Sequence, residues 1–234
     1  MTEALTFPPA MHGEAVTRDP AEAAVLRAIQ GVDAGLVTWR VAADRVGAAL
    51  VLAPEVALAQ AMAMLPLCGV GFQNALGALA PPEVAVHLDW NGGLRVNGAG
   101  CGRMRVFAAT QDPALQPDWL VVSFDLDLLP TQQETGLTPD RTALFVEGCA
   151  DVDPARLVES WARHTLAWIA RWEDEGPRPL HAEWRGLAHG IGDEVTQGGA
   201  TGTFLGVDED FGMLLRVGKD TQAIPLTTLL EDTP

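Results

Sequence analysis

The sequence predicts an α+β fold: a mixed sheet with helices packed on it, then a small β-rich unit at the C-terminal end. Three observations predict it. Val84 to Thr110 holds three apolar runs separated by Asn91-Gly92-Gly93 and Asn97-Gly98-Ala99-Gly100. Asn and Gly tolerate positive φ, so these are turns between strands. Asp19-Pro20-Ala21-Glu22 and Asp153-Pro154 are helix starts, with Asp as N-cap and Pro in the first helical position. From Val195 the composition changes to short strand-like runs broken by glycine and acidic turns.

In chain order, residues 1–18 read as an irregular lead containing Pro8-Pro9. The helix from Asp19 is expected to reach about Gln30, burying Ala24, Val25, Ala28 and Ile29, with Gly31 ending it. Leu36–Val41 and Ala48–Ala53 read as strands joined by a connection of hairpin size that carries Asp44, Arg45 and Gly47. Val56, Ala59, Ala63 and Leu67 fall at helical spacing, and Pro66 is expected to kink or divide that helix before a second segment, Gly71–Leu79. Asp118–Leu128 is a long sheet strand, with Asp125 and Asp127 on one face of it. Two carboxylates so placed could hold Mg2+, but a solvated outward face is the preferred reading. After a loop-rich segment over 130–153, the longest helix is expected over Pro154–Glu173, with Leu157, Trp161, Trp168 and Trp172 sharing a face.

Composition narrows the function classes. The 234 residues carry a formal charge of −16, so no nucleic acid is expected as a partner, and no anionic membrane surface. The longest apolar stretch, Val56–Leu79, is broken by Pro66, Gly69 and Gly71 and reads as buried helices, not as a membrane span. Cys68, Cys101 and Cys149 are odd in number with no CxxC spacing, which fits free thiols in a cytoplasmic protein. The first residues lack the layout of a signal peptide. Lys219 is the single lysine, and every other cationic side chain is Arg or His.

The Val84–Thr110 stretch resembles the core of the biotin/lipoate protein ligase family. There a strand ends in Lys-Trp-Pro-Asn-Asp, and a later one opens Lys-x-Ala-Gly-Ile. The counterparts here are Asp89-Trp90-Asn91-Gly92-Gly93-Leu94 and Gly100-Cys101-Gly102-Arg103-Met104. Trp184-Arg185 and the run Gly190–Val195 also resemble the family, and residues 203–226 are similar to the SH3-like barrel that ends many of its members. The resemblance implies a class II synthetase-like catalytic-type domain over 1–192 and an SH3-like β-barrel over 193–234. It implies ATP and Mg2+ as co-substrate and metal if the chain is active, and a small carboxylic acid as ligand. It leaves an acceptor protein open. It places Arg40, Arg45, Asp89, Trp90, Asn91, Gly92, Cys101, Gly102 and Arg103 at the substrate site.

Two departures from the family pattern bear on chemistry. Asp89 stands where the family has a lysine, and the Gly/Arg-rich loop between the second and third strands shrinks to Arg45 and Gly47. Joining a carboxylate to the α-phosphate of ATP brings two anions together, and the site must supply positive charge there. An aspartate inverts the local sign. Asp89 could bind a cation, an amine-bearing ligand, or a neighbouring arginine, Arg103 among them. Arg103 and Arg105 lie two apart, hence on one strand face, where Arg103 could hold a carboxylate or phosphate. Three readings stay open: a divergent binding protein with the ligase fold, an active ATP-dependent ligase, and an interaction module that regulates a true ligase. Thioester chemistry at Cys101 or Cys149 is disfavoured, because neither lies where the related acyltransferases place their nucleophile.

Overall fold

The computed structural model describes residues 5–130 and 140–233. Residues 131–139 of the expected 130–153 loop, the first four residues of the lead and Pro234 lie outside the described residues.

The sheet is mixed, as expected. Seven strands run in the order β1-β2-β3-β7-β6-β5-β4. They are β1 (His12–Ala15), β2 (Leu36–Val41), β3 (Arg45–Leu52), β4 (Val86–Leu88), β5 (Gly93–Val96), β6 (Ala99–Ala108) and β7 (Leu120–Asp127). β1 pairs parallel to β2, and every other neighbour is antiparallel. β1 corrects the irregular lead. Its residues are mostly exposed and show no apolar alternation; the backbone of β2 alone recruits it to the edge.

Helix α1 (Pro20–Ile29) starts as the caps dictate, with Asp19 Oδ1 accepting from Ala21 N at 2.9 Å. Pro66 does not kink a helix. The break falls earlier, between α2 (Leu58–Ala61) and α3 (Met64–Gly77). Pro66 sits in the first turn of α3, where an amide N–H has no intrahelical partner to lose. Helix α4 (Pro154–Glu175) buries Leu157, Trp161 and Trp168 against the sheet and α3. Phe124 of β7 lies between Phe72 of α3 and Trp161 of α4, with ring centroids at 5.3 and 5.0 Å. Helix α5 (Arg178–Leu187) closes this layer and buries Leu180 and Trp184.

The opposite sheet face is covered only in part. Ala21, Ala24, Val25 and Ala28 of α1 pack on Val51, Val121 and Phe107. Beyond α1 the same face of β3, β7 and β6 lies open, and that geometry makes the site.

The C-terminal unit is not a barrel, which corrects the expected SH3-like closure. Its strands, β8 (Glu194–Gln197), β9 (Ala200–Val207), β10 (Met213–Val217) and β11 (Asp220–Ile224), form an open sheet in the order β11-β10-β9-β8. Closure would need β11 to reach β8. Instead Pro225, with no N–H to donate, leads into a 3-10 turn over Leu226–Leu229. The chain then returns to the large sheet, where Leu230 bridges Val106 and Glu231 N donates to Val106 O at 2.9 Å. The tight turn between β10 and β11 presents Lys219, exposed, after Gly218 at φ +63°.

A buried aromatic joins this unit to the rest, with Phe204, Met213, Leu215 and Leu226 in the same core. Phe211, in the acidic loop between β9 and β10, is 1% exposed. It stacks on His181 at 3.8 Å and meets Trp184 edge-on. The Trp90 indole donates to its carbonyl at 2.8 Å.

Candidate functional site

Strand register brings the charged residues of the open face together. Arg45 lies opposite Asp127, Gly47 opposite Asp125, and Asp125 opposite Arg103. Alternation then puts Arg45, Asp125, Asp127, Arg103 and Arg105 on one face, beyond the end of α1. With Asp19, Gly100, Gly102 and Arg141 they line a cleft of about 550 Å³. A second compartment of about 350 Å³ continues past Arg45 to Arg40, Asp44 and Gly47. Four arginines against three aspartates make the larger compartment a locally positive place in a chain of net charge −16.

Most of these charges are paired. Arg45 reaches Asp127 at 2.7 Å and Asp125 at 3.3 Å. Arg105 binds Asp19 at 2.7 Å, and Arg141 meets Asp127 at 3.4 Å. Asp125 and Asp127 are therefore not a solvated face. Their cross-strand neighbours neutralise them, and that pairing depends on a register no local pattern encodes. Among the described residues Arg103 is held least: its nearest carboxylate there is Glu231 at 3.8 Å, and its side chain is 59% exposed.

Burial holds the Asp125 carboxyl above its ordinary 3.8, with Arg45 and Arg105 pulling the other way. A carboxyl with a raised folded pKa binds its proton more tightly when folded. Its stabilising contribution is whole below the unfolded value and is lost as pH rises through the folded one. Asp125→Asn cannot ionise. The stability of this variant relative to the parent is therefore expected to rise between pH 4 and pH 7, as read by urea denaturation at each pH.

The remaining expected site residues lie elsewhere. Asp89 follows β4 and is committed inside the fold: its Oδ1 accepts from Arg95 Nε at 2.7 Å and lies 3.2 Å from His189 Nδ1. Arg95, not Arg103, is its arginine partner. Trp90 is buried and serves the Phe211 contact. Gly92, at φ +89°, lets the turn close onto β6, where a Cβ would sit 2.6 Å from Met104 O. Asn91 is exposed, and its side chain reaches back to Gly93 N at 3.4 Å. Asp89, Trp90 and Gly92 line a separate apolar cavity of about 20 Å³, room for about one water. So the structure gathers Arg45, Gly102 and Arg103 in one compartment, with Arg40 in the next, and leaves the Asp89–Gly92 turn outside both. The sequence reading missed Asp19, read only as a helix cap, and Arg141, which follows the undescribed residues. Arg105 was visible through its two-residue spacing from Arg103.

Cys101 is fully buried, its thiol 3.6 Å from Asp127 O. Burial first, then Asp127 and Glu147, pushes its pKa up to about 12. Burial raises Cys68 and Cys149 as well. A nucleophilic cysteine needs the opposite shift. All three thiols are expected to stay unreactive toward a disulfide reagent at pH 8 and to react together once the chain is denatured, counted by thiolate release.

The residues present do not fit ATP with Mg2+. Asp125 and Asp127 both turn to Arg45. Among the described residues there is no group of three or more His, Cys, Asp or Glu that could hold a metal ion. The β2–β3 connection is a tight hairpin closed by Ala42 N donating to Arg45 O at 2.8 Å, with no loop to fold over a triphosphate. Among the described residues no helix is long and apolar enough to cross a membrane.

Comparison with known proteins agrees with this architecture. The chain is 63% identical to a biotin protein ligase-like protein of unknown function from Silicibacter sp. TM1040, whose crystal structure superposes with a TM-score of 0.93 over 98% of this chain and 100% of that one. Biotin protein ligase from Aquifex aeolicus shares the fold at 14% identity, with a TM-score of 0.73 over 91% of this chain and 95% of that one. The Leishmania major ligase in complex with biotinyl-5-AMP does so at 14% identity and 0.58, over 93% of this chain and 99% of that one. No curated protein matches. A domain of unknown function, DUF4444, matches residues 191–232. The biotin/lipoate A/B protein ligase family model matches residues 7–186, more than half of the sequence, and the chain belongs to that family as a divergent member.

Proposed function

We propose that this protein binds a small carboxylic acid, or an adenylate of one, on the open sheet face and does not itself form the adenylate. The observation that carries the reading is the cleft of Arg45, Arg103, Arg105 and Arg141. Arginine suits a carboxylate because its planar fork donates two parallel hydrogen bonds. Adenylation needs free positive charge at the strand end, and there Asp89 is already engaged with Arg95 and His189. Residues 1–192 form the binding unit in this reading, and 193–234 the accessory unit. A cytoplasmic location accords with three buried free thiols.

The test has two arms. In a thermal-shift panel of short-chain and medium-chain carboxylates, at least one is expected to raise the melting temperature, since a ligand that binds only the folded state stabilises it. Pyrophosphate exchange into ATP with biotin, lipoate or octanoate is expected to stay at background. Robust exchange would overturn the non-adenylating part, and a panel with no shift would overturn the carboxylate site.

A further inference from the structure

The charges of the larger compartment are not interchangeable with those of a plain anion site. Three aspartates share it with the arginines, and a ligand that was only negative would face them all. Asp125 stands out. It sits on the cleft floor, and its one ion pair within 4 Å among the described residues is with Arg45 at 3.3 Å, which gives its shorter contact to Asp127, while Arg105 acts on it from farther away. The side chain placed to complete Asp125 is Arg103, its direct cross-strand neighbour. Arg103 turns away instead, toward Glu231 at 3.8 Å. Among the described residues, a carboxylate short of donors therefore lies beside an arginine short of acceptors, with the cleft between them. Arg141, 72% exposed and 3.4 Å from Asp127, stands on the same wall with donors to spare. Behind the floor, on the same face, Ser123 Oγ is buried with no hydrogen-bond partner among the described residues.

The complement of this arrangement carries both signs. Directly paired residues on antiparallel strands have Cα atoms about 5 Å apart. The two ligand charges must then lie only a few bonds from each other. A donor-rich cation would complete Asp125, and an acceptor-rich anion would complete Arg103 and Arg141. Charge-assisted hydrogen bonds at a part-buried site reward both ends.

We propose that the ligand is an amino-bearing carboxylic acid, with its ammonium on Asp125 and its carboxylate on Arg103 and Arg141. This rests on the carboxylate reading of the cleft and names the chemical class that the cleft selects. The raised pKa of Asp125 accords with it, because a nearby ammonium would favour the ionised carboxylate that burial disfavours. Binding would therefore take up charge at Asp125 and tighten as pH rises through its folded pKa.

The experiment is isothermal titration with matched pairs: glycine, β-alanine, 4-aminobutyrate and 5-aminovalerate against acetate, propionate, butyrate and valerate. At least one amino acid is expected to bind about tenfold or more tightly than its deamino partner. Asp125→Asn, with nearly the same shape, is expected to bring that ratio close to one. Its melting curve checks that it folds. Arg103→Gln is expected to weaken both members of the preferred pair. Equal binding within every pair would overturn the inference and leave the carboxylate site standing. A tenfold preference that survives Asp125→Asn would overturn the placement on Asp125. No binding by either series, with medium-chain acids also silent, would overturn the carboxylate site itself.

Discussion

Gly102→Ala is expected to destabilise the protein by about 3 kcal/mol or more and to abolish ligand binding in the cleft. A Cβ at this position would lie 2.2 Å from the Asp125 carbonyl oxygen and 3.0 Å from Leu126 Cα. Both obstacles are backbone of the neighbouring strand, so no side chain can swing clear. The close approach has a local cause. The β5–β6 ladder slips at this point, with Leu94 opposite Gly102 and Arg95 opposite Gly100. Such a bulge bends the strand and strengthens its twist. A methyl group would push β6 from β7 where Arg103 and Asp125 face each other. The loss reads as a lower urea midpoint and an absent thermal shift. The contrasting variant is Gly186→Ala on α5, where an added Cβ meets nothing within 4 Å. That change is expected to stabilise by about 0.5–1 kcal/mol, because alanine is the better helix former. Equal stability of the two variants would show that β6 and β7 are not packed as described.

Phe211→Ala is expected to cost about 3–5 kcal/mol, the range for emptying a buried aromatic site. The ring lies against His181, Trp172 and Trp184, the latter two at 6.4 Å between centroids. It also borders the small apolar cavity with Leu65, Pro66 and Gly69, so truncation would enlarge a void already present. The backbone supplies a second, signed test. Phe211 has φ +62°, a left-handed conformation that non-glycine residues rarely adopt. Asp208 holds it there by accepting from Gly212 N at 2.7 Å and Asp210 N at 3.0 Å. Alanine would keep the strain and lose the packing. Glycine would lose the packing and shed the strain, so Phe211→Gly is expected to be less damaging than Phe211→Ala by about 1 kcal/mol. Tryptophan emission reports the change, since Trp90, Trp172 and Trp184 surround the loop. Alanine proving the milder of the two would contradict the left-handed backbone at this residue.

Features with a local cause were legible in the sequence. Asp19 and Asp153 announce their helices because a side-chain oxygen two residues away caps the first free N–H groups. The turn at Asn97-Gly98 shows because both residues take positive φ, +51° and +91°. Features set by long-range pairing were not. β1 has no pattern of its own and exists because β2 offers it an edge. Four C-terminal strands look alike whether a sheet closes or stays open, and only Pro225 and the return to Val106 decide. The candidate site divides along the same line. Arg45 and Arg103 were visible as charges beside glycines. The meeting of Arg45 with Asp127 follows from cross-strand register, which joins residues 82 positions apart, and the same register sets Arg103 opposite Asp125. Asp89 was legible as a change of sign, but not that Arg95 and His189 answer it.

The exposed turn after β10 has a consequence for chemical labelling. Lys219 is the single side-chain amine on the molecule, and it sits at the tip of a hairpin. An acyl group that escaped activated from any pocket would find one side-chain amine able to keep it as a stable amide. Peptide mapping after exposure to an activated ester should therefore return a single acylated lysine. That makes the hairpin tip a built-in recorder of leaked reactive intermediate.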